Sequence, residues 1–163
     1  MTGVDHKQNL KLLAQSVGNV LGSYIEVHDR VFHQASTLRS VFKNIFGKGV
    51  PMADLLLDAE HLIPKVASVQ AELSAYRSEA ARDLEPSSLR YLDLLEKYVG
   101  ALRETIDALV RRQRLLAEGA RGGGENPMTW QAFQEAERDY ERAIARYKIV
   151  GLDLNNAAPM IFG

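Results

Sequence analysis

From Leu10 to Ile45 the apolar side chains return every three or four residues. Leu10, Leu13, Val17, Val20, Tyr24, Val27, Val31, Leu38, Val41 and Ile45 fall on one seam, broken only by Gln34. That spacing predicts a helix over about residues 5–46. A second row, Leu21, Ile25, His28, Phe32, Ala35, Phe42 and Phe46, runs along its flank. The apolar face is therefore wider than a two-stranded coiled coil needs, as in a helix inside a bundle. Gly18 and Gly22 weaken the helix locally and are expected at a close helix crossing or a bend. "FGKGVP" over 46–51 then supplies the glycines and proline of a helix end.

The same spacing recurs three more times. Ala59, Leu62, Val66, Val69, Leu73, Tyr76 and Ala80 predict a helix over about 52–83, kinked or broken near Pro64 because proline lacks the backbone donor. "DLEPSS" places Pro86 in a first helical turn. Leu92, Leu95, Val99, Leu102, Ile106, Leu109, Gln113 and Leu116 then make the cleanest seam, over about 87–119. Trp130, Phe133, Tyr140, Ile144 and Tyr147 predict a fourth helix over 127–150, ending near Gly151. Behind it, an extended apolar tail over 152–163 is expected, since Pro159 interrupts helices and Met160, Ile161 and Phe162 follow it directly. Four long helices with short links predict an all-α, elongated antiparallel four-helix bundle in a single domain.

Composition narrows the function classes. Hydrophobic residues at 46% and charged residues at 25% are ordinary globular values. A net charge of -1 provides no bulk field for nucleic acid or an anionic membrane. Without cysteine there is no disulfide, thiolate nucleophile or cysteine metal site. The opening "MTGVDHKQNL" lacks the features of a signal peptide, and no apolar run reaches the roughly 18 residues of a membrane span, so a cytoplasmic location is expected.

The search for chemistry finds little. "GARGGGENPMTW" over 119–130 has three glycines in a row, yet a phosphate loop needs a lysine behind the glycines and a strand before them. Asn126 and Pro127 suit a helix start instead, so the stretch reads as a hinge. "GKG" over 47–49 reads as a turn for the same reason. Asp54, Asp58 and His61 share one helical face and are the best metal candidates, although that face points away from the seam. His28 lies on an apolar flank with no nucleophile in view, which fits a partly buried, satisfied histidine. Arg111, Arg112 and Arg114 spread around their helix and are expected to pair with the acidic fourth helix, a distribution that weighs against nucleic acid. No catalytic set and no cofactor motif is legible. The expectation is a non-enzymatic helical interaction or scaffold protein that associates with itself or another protein through Phe32, Phe42, Phe46, Met160, Ile161 and Phe162. The alternatives are a bundle dimer on a membrane surface, which the scattered lysines disfavour, and a bundle enzyme or sensor with a pocket near Tyr24, His28 and Tyr76.

Overall fold

The computed structural model describes residues 3–34, 52–120 and 130–163. The chain folds as an all-α bundle: α1 (Gly3–Gln34), α2 (Met52–Glu60), α3 (Leu62–Ala80), α4 (Pro86–Ala120) and α5 (Trp130–Phe162). The predicted positions at Phe42 and Phe46, and the glycine stretches at 47–49 and 122–124, lie outside the described residues.

α2 and α3 are the expected broken second helix. The break falls at His61, three residues ahead of Pro64, whose missing N–H would otherwise bond Glu60. His61 still donates its own N–H to Leu57 at 2.9 Å. The apolar seam keeps phase across the turn: Leu55, Ala59, Leu62, Val66, Val69, Leu73, Tyr76 and Ala80 are all buried. Between α3 and α4, Asp83 and Leu84 donate to the Ala80 carbonyl, and Leu89 donates to Glu85, which seats Pro86 at the first helical position.

Cross-helix pairs fix the topology as up-down-up-down. Together with α2, α3 runs against α1: Arg30 lies beside Asp58 of α2, and His6 beside Tyr76 of α3. It runs against α4 through Arg77 with Glu96 and Arg103 with Gln70. α5 runs against α4, with Tyr91 beside Phe162 and Glu104 beside Arg146. α4 is the shared neighbour, packing on every other described helix. Leu92, Leu95, Leu102, Ile106 and Leu109 on it are essentially inaccessible to solvent.

One expectation is overturned and a second is narrowed. The chain does not leave the helix at Gly151 for an extended tail; α5 continues to Phe162 with Pro159 inside it. Two facts explain why. Phe133, Tyr140, Tyr147, Leu154 and Ile161 are spaced seven apart, so the seam continues past Gly151 and draws Ile161 into the core at 3% exposure. Gly151 ends nothing: a Cβ there would stand 3.1 Å from the Tyr98 ring, so the glycine is the notch that receives this tyrosine. Pro159 sits in the final turn, and Gly163 donates to its carbonyl at 2.9 Å. The second concerns Gly18 and Gly22, expected at a close crossing or a bend. Both are exposed, and a Cβ on either meets nothing within 4 Å among the described residues, so neither marks a close crossing there.

Candidate functional site

Aromatic residues gather where α1, α4 and α5 meet. α4 and α5 lie close along their lengths, but the backbones of α1 and α5 stay apart almost everywhere. Large rings fill the gap. Tyr98 of α4 meets Tyr147 of α5 edge to face at 6.2 Å, and Tyr147 meets Tyr24 of α1 at 5.8 Å. Phe32 stacks on Tyr140 at 5.8 Å, with the rings 3° from parallel. The Arg112 guanidinium lies over both Phe32, at 4.7 Å, and Phe133, at 5.4 Å. Trp130, packed on Phe133 at 5.9 Å, closes the row at the start of α5.

Polar atoms inside this row satisfy one another. The Tyr140 hydroxyl is 2.7 Å from the Tyr24 hydroxyl and 2.7 Å from His28 Nδ1. Two orientations close the chain: Tyr24 to Tyr140 to His28, or the reverse with His28 Nδ1–H donating first. Arg112, 5% exposed, donates to Glu137 on α5 and to Gln113 beside it. Here a buried cation is held by a carboxylate, a side-chain carbonyl and two aromatic faces.

Burial sets the protonation states. Desolvation raises the Tyr24 and Tyr140 phenols far above their usual range, with the neighbouring tyrosines adding to the effect at Tyr24. Tyr98 is pushed up to about 12, mainly by desolvation. Desolvation lowers His28 below the ordinary imidazole value; Lys148 and Arg112 push it the same way, against Asp29. At neutral pH the seam therefore holds neutral phenols and a neutral imidazole. Such a chain fastens α5 to α1 and carries no activated nucleophile.

The other sequence-derived positions are placed as follows. Asp58 does not join Asp54 and His61: Arg30 Nη1 of α1 lies 2.8 Å from Asp58 Oδ2, an ion-pair contact without hydrogen-bond alignment. Asp54 and His61 are exposed, and among the described residues no three histidine or acidic side chains group to hold a metal ion. The pocket expected near Tyr24, His28 and Tyr76 does not exist as one place. Tyr76 bonds His6 Nδ1 at 3.0 Å, eighteen positions along α1 from Tyr24 and at the other end of the bundle. Of the basic cluster, Arg112 does pair with α5, Arg114 turns to Glu60 on α2 at 3.1 Å, and Arg111 faces an open groove. That groove, about 450 Å³ between α4 and α5, sets Glu104, Asp107 and Asp139 against Arg111, Arg142 and Arg146, so its charges cancel.

Of the expected interaction residues, Phe32 is committed to the seam, under Arg112 and against Tyr140. Ile161 is buried, and Phe162 rests edge-on against Tyr91 at 5.2 Å while staying 40% exposed. Met160 is 71% exposed. Two further large apolar residues on the outer side of α5, Ile149 and Leu152, are 62% and 64% exposed. Set against family models, curated proteins and solved structures, the chain matches none. Among the described residues no helix is long and apolar enough to cross a membrane.

Proposed function

We propose that this protein is a non-enzymatic helical interaction module that associates with itself. The observation that carries the reading is the back of α5. Ile149, Leu152 and Met160 are large, apolar and substantially exposed, in a stretch (149–163) with Asp153 as its only charged residue. Leaving such side chains in water forgoes about 1.5–3 kcal/mol each relative to full burial. Grouped exposed apolar residues commonly mark a contact surface. The tyrosine-histidine seam supports the same reading from the other side. Its hydroxyls and imidazole bond one another, which suits a rigid scaffold that presents a surface.

Sedimentation equilibrium of the full chain at tens of micromolar tests this reading. A self-associating module gives a mass above the 18.2 kDa of one chain. A single-chain mass across that range overturns it.

A further inference from the structure

α5 carries two seams. The inner one, through Tyr140, Tyr147, Leu154 and Ile161, is used up by the bundle. An outer row at the same alternating spacing passes through Arg138, Arg142, Ala145, Ile149, Leu152, Asn156 and Pro159, all of them exposed. This row changes character along its length. It is cationic up to Arg142 and uncharged from Ala145 onward. It lies toward the end of the bundle away from Gln34, Met52, Ala120 and Trp130.

We infer that this outer row is the interface, and that its occupant is the same row of a second copy, running antiparallel and related by a twofold axis. The inference rests on the self-association reading and adds the partner segment and its register. Charge is what selects the occupant and the direction. Placing Ile149 opposite Leu152 of the second copy brings Ala145 opposite Asn156, Arg142 opposite Pro159 and Arg138 opposite Gly163. α5 has no basic residue in its own last turn, where the helix dipole leaves partial negative charge on unpaired carbonyls. The antiparallel register supplies that missing positive charge from Arg138 and Arg142 of the partner copy. It also sets Asp153, which pairs with no cation among the described residues, beside the turn of Arg146 and Lys148 across the axis. A parallel arrangement would instead stack Arg138 on Arg138, Arg142 on Arg142 and Asp153 on Asp153, and leave both helix ends uncapped.

One helix pair of this length buries less than the roughly 1,600 Å² of a standard interface, so the dimer is expected to be weak, in the micromolar range. The absence of native cysteine makes the register directly testable. Ala145→Cys and Asn156→Cys are made singly, and the two proteins are mixed and oxidised under mild conditions. The antiparallel register gives mainly the mixed disulfide, whereas a parallel one gives each homodisulfide. As an independent measurement, Leu152→Glu and Asp153→Arg are compared with the parent by sedimentation, with helicity followed by circular dichroism. Both positions are solvent-facing, so helicity should hold while dimerisation weakens by about tenfold or more for Leu152→Glu and severalfold for Asp153→Arg. A dimer that forms homodisulfides, or that ignores both substitutions, overturns this interface and leaves self-association standing. A parent protein that stays monomeric at tens of micromolar removes both.

Discussion

α5 is held on two sides by opposite strategies. Against α4 it packs close: Ala108 of α4 and Ala143 of α5 are buried small residues bordering one groove, and the Tyr98 ring fills the space left by Gly151. Against α1 the backbones stand apart, and Tyr24, Tyr140, Tyr147 and Phe32 bridge the distance with rings and a chain of hydroxyls. Close packing of small residues draws on dispersion over many short contacts and tolerates no added volume. The aromatic seam draws on fewer, larger side chains whose polar tips must each find a partner. One interface should therefore fail when atoms are added, the other when they are removed.

The largest effect is expected from Tyr140→Ala. It empties a ring that stacks on Phe32 and removes the hydroxyl shared by Tyr24 and His28, and should cost about 3–5 kcal/mol in urea unfolding. A cost below about 1 kcal/mol would mean the seam closes without it. Next comes Thr105→Leu on the tight side. Thr105 is fully buried in the α4 row between Tyr98 and Arg112, both of which touch α5, and its hydroxyl donates to the Ala101 carbonyl of its own helix. Added volume there should cost about 1–3 kcal/mol, read from the same unfolding curves. An unchanged midpoint would show that α4 and α5 are not close-packed at that level.

Smaller again is Tyr24→Phe, which keeps the ring and deletes one hydroxyl. Tyr140 retains His28 as a partner, so the loss should be about 0.5–1.5 kcal/mol. The smallest effect is a pH dependence. His28 is held below its ordinary value near 6.5, so the unfolded chain takes up the proton first. Its stabilising contribution is complete above about pH 6.5 and is lost as pH falls through the lower folded value. Melting temperatures of the parent and of His28→Gln between about pH 7 and 5 isolate this share, because carboxylates titrate in both proteins. The parent should lose more on acidification. Equal losses would place His28 in solvent.

How far this could be read beforehand differs between elements. The seams of α1 and α4, the break near Pro64 and the helix start at Pro86 follow from three-four spacing and the special backbone of proline, which act within a few turns. The end of α5 was misread for the same local reason. Glycine and proline are usual helix stops, yet the seven-residue spacing of Phe133, Tyr140, Tyr147, Leu154 and Ile161 runs through both. In the candidate site His28 was legible as a partly buried histidine, but nothing near it in sequence points to Tyr140, which lies 112 positions away.

The sequence by itself determined the helices, their amphipathic faces and the absence of cysteine chemistry, because periodicity and composition are properties of the chain alone. Only the tertiary structure decided that Gly151 is a notch for Tyr98, that Tyr76 belongs with His6, and that Ile149, Leu152 and Met160 face outward while Ile161 does not. Each of these depends on which helix lies alongside and how near its backbone comes. That distance is set by the side chains of both partners together, and no single segment of the chain encodes it.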